Sequence, residues 1–298
     1  MTILLGIIIC LILYVCILIL YSQGMGSNWH TPNMKGKVVC ITGGSSGIGL
    51  EIVKYLKQLN ATVIVLGRSD CLISGIKNIY LDLSDLNKVK ETIKEIHSVI
   101  DHIDILINNA GCVAIPSNIK TAQGYDITVG VNHIGHALLT LGILDLIKKS
   151  QSPRIIVMSS LSAADWHQKE IPFNWKNEEW DPEIQYPASK LANSLFAIKL
   201  AQLNPDIECV HVHPGFVWSK FWRYMTPVMK FIYTVILFLF SRTPLQGAQT
   251  AIYCALAPNI ETGKYYADCI PCEVNPLCDD QNVIDSLWEK TKNAIENK

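Results

Sequence analysis

Tyr186 and Lys190 stand four residues apart in the run YPASK, and the neighbouring serines Ser159 and Ser160 close the earlier run RIIVMSS. On a helix, positions i and i+4 share a face, so the phenol and the ammonium would lie side by side. With a hydroxyl nearby, that is equipment for moving a proton onto or off a substrate oxygen. Free tyrosine titrates at about pH 10; a drop of about 3 units, driven by close positive charge, needs about 4 kcal/mol of differential interaction. A Y-x-x-x-K pattern alone carries little weight, since roughly one is expected by chance in a chain of this composition. Strand alternation sends Ser159 and Ser160 to opposite faces, so only one can serve.

A second constellation is the stretch VVCITGGSSGIGLEI at residues 38–52. After a strand, Gly43 can take a tight turn, Gly47 admits a pyrophosphate against bare backbone, and Gly49 lets the following helix pack close. The helix start then offers free N–H groups and a positive dipole end to the phosphates. A glycine-rich turn without a ligand is the plainer alternative, but the placement between strand and helix favours a dinucleotide. The next strand, TVIVL, ends in Gly67-Arg68-Ser69. An acidic residue there would bond a ribose 2′-hydroxyl, whereas a guanidinium can pair with a 2′-phosphate, so Arg68 favours NADP(H) over NAD(H). Asp70, two residues on, complicates that preference.

These groups must be held by a frame, and the chain has one. Its 298 residues, 49% hydrophobic and 17% charged with a formal net charge of −1, suffice for a well-buried α/β core. The near-neutral balance, without basic runs, argues against nucleic acid as a partner. Strand-like runs at residues 38–41, 62–66, 79–81, 103–107, 154–158 and 208–212 alternate with helical spacing at 50–59, 89–100, 137–149 and 187–203. Such alternation predicts a single-domain, doubly wound (Rossmann-type) parallel sheet that binds its ligand at the carboxyl ends of the strands.

The motifs TGGSSGIG, LGR, LDLSD, LINNAG, VNHIGHALLT, IIVMSS, YPASKLAN, HPG and TPLQGAQTAIYCAL…YYADC, spread from about residue 36 to 269, follow in family order. In them the chain resembles the short-chain dehydrogenases/reductases, and among these the membrane-anchored retinol dehydrogenase branch. The resemblance implies Asn132, Ser160, Tyr186 and Lys190 as the catalytic set, with Ser160 binding the carbonyl and Asn132 holding a water that relays protons to Lys190. It implies a nicotinamide dinucleotide lined by Gly43, Ser45, Ser46, Gly47, Ile48 and Gly49, and by Arg68, Asp82 and Leu83 toward the adenine. Asn109 and Gly111 would continue that wall to Tyr186 and Lys190, and Pro214, Gly215, Val217 and Ser219 would flank the nicotinamide. One departure stands out. Relatives carry a helix between the second and third strands, where only about ten residues, 69–78, stand here, fewer than a parallel crossover usually needs.

The expected activity is a membrane-anchored, NADP(H)-dependent interconversion of a lipophilic alcohol with its aldehyde or ketone, a retinoid, steroid or lipid-derived carbonyl, running reductively in cells. The alternatives are an NAD-dependent dehydrogenase of the same fold and an idle cofactor-binding scaffold. The anchor would be residues 1–22, with a linker at 23–35 and the catalytic domain at 36–298. Residues 3–21 are an uncharged apolar run reaching about 28 Å, close to a bilayer's hydrocarbon thickness. A cleaved signal peptide is the competing reading. Lys35 and Lys37 after the span leave the domain cytosolic by the positive-inside rule, and the family expectation is the endoplasmic reticulum. Oligomeric state stays open.

Further residues invite readings of their own. Trp166, Phe173, Trp175 and Trp180, together with the apolar stretch 231–240, are expected to wall or cover a lipophilic substrate, that stretch being a buried core helix in the other reading. The ten cysteines do not form a disulfide framework. Cys269, Cys272 and Cys278 could be three-quarters of a zinc site but have no fourth ligand at a recognisable spacing. His133, His136, His211 and His213 match no zinc motif and are expected to be packing histidines.

Overall fold

β-Branched runs fully covered on both faces lay down the middle of one sheet. The computed structural model describes residues 6, 14–16, 31–113, 119–174, 181–217 and 241–296. Its strands are β1 (Val38–Thr42), β2 (Thr62–Gly67), β3 (Lys77–Tyr80), β4 (Ile105–Asn108), β5 (Arg154–Met158), β6 (Glu208–His213), β7 (Tyr265–Ala267) and β8 (Ile270–Cys272). They pair in the order β3-β2-β1-β4-β5-β6-β7-β8. All pairs are parallel except β7 with β8. The order reverses between β1 and β4, which opens the crevice where open α/β sheets bind ligands.

Alternate residues feed opposite layers. Cys40, Ile64, Leu66, Leu106, Ile155 and Val157 join one core cluster, while Val39, Ile41, Val63, Val65, Ile107 and Ile156 join the other. The helices are α1 (Gly47–Gln58), α2 (Leu86–Val99), α3, α4 (Pro182–Leu203), α5 (Pro244–Leu256) and α6 (Gln281–Glu296). The helical stretch α3 is built of Ile127–Val129, a π-helical turn Gly130–Ile134 and Gly135–Gly142. Helices α1 and α5 cover one face; α2, α3 and α4 cover the other. This is the Rossmann-type architecture expected, extended by the β7–β8 hairpin and α6.

The shortened crossover is real. Residues 68–76 between β2 and β3 contain no helix. Asn78 clips the loop by accepting from the Cys71 N–H at 2.8 Å and donating to the Cys71 carbonyl at 3.2 Å. Cys71, Ile73 and Ile76 pack into the core beneath it, which substitutes for the missing helix.

Among the described residues no helix is long and apolar enough to cross a membrane. The apolar run at 3–21 lies outside them except for Gly6 and Tyr14 to Cys16, which are helical. Stretch 231–240, Trp175, Trp180 and Ser219 also lie outside the described residues. Trp166 and Phe173 are not pocket walls. Both are buried in a core cluster with Ala188, Leu191 and Leu287, and Phe173 meets the rings of Tyr125 and His133. Residues 166–173 pack on α4 and α6, which buries these two aromatics. Cys269, Cys272 and Cys278 are free thiols, and among the described residues no group of His, Cys, Asp or Glu is arranged to hold a metal.

Three histidines are fully buried, and burial pushes them down: His133 and His211 to about 3, His136 to about 4. Their folded values lie below the unfolded value of about 6.5. As pH falls from about 6.5 toward 4, the unfolded chain therefore binds more protons and gains relative stability. Each histidine contributes a slope approaching about 1.4 kcal/mol per pH unit in that window. Urea unfolding at pH 7 and pH 5 should show a large drop in midpoint; equal midpoints would mean these imidazoles titrate normally.

Candidate active site

The glycine turn leaves β1 with Gly43 at φ +69° and enters α1 at Gly47 with φ +56°, backbone that side chains rarely adopt. A Cβ on Gly49 would lie 2.4 Å from the Gly43 carbonyl oxygen and 2.6 Å from Asn109 Nδ2. Ser46 is the N-cap in extended backbone, yet its side chain makes no capping bond. The first N–H groups of α1 are thus not capped by that hydroxyl, and bare backbone surrounds them, a cradle fitted to a diphosphate. Ser45 and Ile48 are half-buried beside it, and Ser46 is exposed.

Thr42, which motif reading passed over, ties this turn to the next wall. Its Oγ1 accepts from the N–H groups of Asn109 and Ala110, both at 2.9 Å, and lies 2.9 Å from His136 Nε2. With two donors already aimed at it, the hydroxyl gives its own hydrogen to Nε2. The His136 proton then sits on Nδ1, which donates to the Asn132 carbonyl at 3.1 Å. Asn109 closes the loop by donating to the Thr42 carbonyl at 2.8 Å, and Gly111 follows, half-buried.

Asn132 lies in the π-helical turn, fully buried. Its Oδ1 accepts from the Cys112 N–H at 2.8 Å, and its Nδ2 donates to the Cys112 carbonyl and to Ser189 Oγ, each at 3.0 Å. Ser189 Oγ donates in turn to the Tyr186 carbonyl at 2.8 Å. Asn132 therefore fixes the loop after β4 against the first turns of α4.

Tyr186 and Lys190 share one face of α4, the ammonium standing 5.5 Å from the phenol ring centroid. Lys190 Nζ donates to the Met158 carbonyl at 3.0 Å, at the end of β5. Ser159 and Ser160 do part company. The Ser159 hydroxyl is buried and donates to the Lys190 carbonyl at 2.9 Å. Ser160 is half-buried, caps the turn Leu161–Asp165 and hydrogen-bonds the Tyr186 side chain.

Burial pushes the Tyr186 phenol up from its ordinary value, the Ser160 hydrogen bond pulling it only partly back. Burial pushes Lys190 down to about 8. Desolvation is the largest cause at both groups. The protein's own groups thus keep the phenol protonated; the expected phenolate draws on the positive charge of an oxidised nicotinamide as well as on Lys190.

The remaining residues border the same crevice. Arg68 is exposed past the end of β2, with no ion pair among the described residues, and Asp70 is exposed beside it. Asp82 is half-buried and accepts from the Ser84 N–H and hydroxyl at 3.0 and 2.6 Å. Leu83 is buried, its carbonyl 2.5 Å from where a Gly135 Cβ would be. Pro214 and Gly215 follow β6; Gly215 has φ +82° and packs on the Arg242 side chain, and Val217 bridges to Arg242.

Comparison with known proteins agrees with this arrangement. The family model for short chain dehydrogenases matches residues 37–228. Retinol dehydrogenase 11 of Mus musculus is 34% identical over 282 residues, covering 88% of this chain and 86% of its own length. Retinol dehydrogenase 12 of Homo sapiens is 34% identical over 284 residues, covering 86% and 85%. Among solved structures, an uncharacterised protein of Mycobacterium paratuberculosis superposes with a TM-score of 0.72 at 23% identity, over 91% of this chain and 98% of its own. The RhlG/NADP complex of Pseudomonas aeruginosa superposes at 0.63 with 21% identity, over 80% and 96%. This chain therefore belongs to the short-chain dehydrogenase family and is an oxidoreductase of its retinol dehydrogenase-like branch.

Proposed function

We propose that the protein is a membrane-anchored, NADP(H)-dependent oxidoreductase that reduces a lipophilic aldehyde or ketone to its alcohol. The observation that carries this reading is the convergence of three groups at the carboxyl edge of β5: the Tyr186 phenol, the Ser160 hydroxyl bonded to it, and the Lys190 ammonium. The crevice bordered by Gly43, Gly49 and Asn109 would hold a reduced nicotinamide dinucleotide, which would supply the hydride. Ser160 donates a hydrogen bond to the substrate oxygen and stabilises its developing charge. Tyr186, kept neutral by burial, hands its proton to that oxygen. Lys190, pushed down to about 8, stands close enough to neutrality to return a proton to the phenol. Asn132 and Ser189 hold the helix turn that aims both.

A lipophilic substrate is supported by the rim of the site. Leu161, Ile184, Phe216, Leu245 and Ile270 are exposed, and each adjoins the carboxyl end of β5, β6 or β7 or the start of α4 or α5. Scattered single apolar residues are ordinary, but five at this end of the sheet favour an apolar ligand. The anchor rests on the apolar composition of residues 3–21, and NADP(H) on Arg68.

The test is a panel of retinal, steroid ketones and medium-chain aldehydes run with NADPH and NADH. Turnover of at least one class with NADPH is expected, and no oxidation of either coenzyme on any substrate would favour an idle scaffold. Arg68→Glu should raise the NADPH Michaelis constant about tenfold or more, a loss of about 1.4 kcal/mol or more, and leave the NADH value nearly unchanged. Equal effects on both coenzymes would remove Arg68 from the 2′-phosphate.

A further inference from the structure

His213 ends β6 immediately before the Pro214-Gly215 turn, and its Nδ1 lies 3.1 Å from the Leu161 backbone nitrogen. A backbone N–H can only donate, so Nδ1 must be the bare acceptor and Nε2 must carry the ring hydrogen. Leu161 is the residue after Ser160, and the turn it opens is capped by Ser160 itself, whose Oγ accepts from the Ser162 N–H at 3.2 Å and from the Ser162 hydroxyl at 2.9 Å. The strand β6 thus reaches across to the turn on which the carbonyl-binding hydroxyl sits. We infer that His213 is a positioning residue for catalysis: its Nδ1 lone pair anchors the Leu161 amide and fixes the Ser160 hydroxyl toward the substrate oxygen.

The surroundings keep the imidazole in the form this task needs. Arg242, Asp268 and Lys190 are the charged groups that act on it. Arg242 is buried, held by Asp268 at 2.6 Å, and its guanidinium packs under Gly215. Burial, reinforced by the Arg242 and Lys190 cations against the opposing Asp268 carboxylate, pushes His213 down to about 4. A protonated ring would present an N–H at Nδ1 and repel the Leu161 amide; the two cations disfavour that form.

The inference rests on the proposed carbonyl reduction, and its test separates the two. Long-range ¹H–¹⁵N spectra of the wild-type protein report the tautomer without any turnover. Nδ1 bare and Nε2 protonated from pH 8 to pH 6 is expected; a proton on Nδ1 overturns the inference. Activity of wild type on the carbonyl panel decides the reaction itself. On the substrate that is turned over, His213→Leu should lower kcat about tenfold or more, with the NADPH dissociation constant within about twofold. His213→Asn, whose Oδ1 can take the place of Nδ1, should recover most of that loss, and His213→Gln should not. Unchanged kcat in His213→Leu, or equal losses in the Asn and Gln variants, would show that the ring does not position Ser160.

Discussion

Tyr186→Phe should lower kcat by about a thousandfold while the protein binds NADPH within about twofold of wild type. The substitution removes one oxygen from a half-buried ring whose position is fixed by its place on α4, by Ser189 on its carbonyl and by the Lys190 ammonium near its face. None of those supports needs the hydroxyl. What is lost is the proton that the substrate oxygen must receive as it becomes an alkoxide, and the hydrogen bond that orders Ser160. The check is steady-state kinetics beside a fluorescence titration of coenzyme. A variant retaining a tenth of the activity would require another acid in the site. Because burial holds the phenol protonated, reduction by wild type should persist toward neutral pH, where the acid is fully loaded.

Gly49→Ala should weaken dinucleotide binding about 10- to 100-fold. The added methyl would come 2.4 Å from the Gly43 carbonyl oxygen and 2.6 Å from Asn109 Nδ2. To admit it, α1 must withdraw from β1 or Asn109 must release Thr42, and either change opens the diphosphate cradle. Overpacking of this kind costs about 1–3 kcal/mol, which at about 1.4 kcal/mol per tenfold gives the stated range if the strain falls on the bound state. Gly67→Ala is the contrast, since its nearest neighbour would be 3.8 Å away. Calorimetric titration of both variants with NADPH checks the pair; equal affinities would mean that the turn does not carry the phosphates.

Much of the frame was legible in the sequence. The run at 154–158 is β5 residue for residue, because a short run centred on three β-branched residues with helices on both sides has few other ways to fold. Helix boundaries were less legible. Pro187 reads as a helix start, yet α4 begins at Pro182, with Pro187 inside it. A proline at the first helical position and one inside a helix are alike in sequence, and only packing separates them. Periodicity places a helix from 137, whereas α3 is helical from Ile127, where Asp126 caps it through the Thr128 and Val129 N–H groups. The π turn at Gly130–Ile134 breaks the 3.6-residue rhythm that would have shown this.

The site was legible in its motif residues and illegible in what joins them. The bond between Thr42 and His136 spans 94 positions and that between Leu161 and His213 spans 52; no local pattern announces either. The direction of the Tyr186 shift was also out of reach. A sequence shows that a lysine is near a tyrosine, but whether attraction or desolvation wins depends on how deeply both are buried and on what else the ammonium bonds.

The most direct test is a crystal structure of the protein with NADP(H) bound. The diphosphate should contact the backbone between Gly43 and Gly49 at the start of α1, and the nicotinamide should face the Tyr186 hydroxyl within reach of Lys190. Coenzyme held elsewhere on the sheet, or a Tyr186 hydroxyl turned away from the nicotinamide ring, would contradict the account.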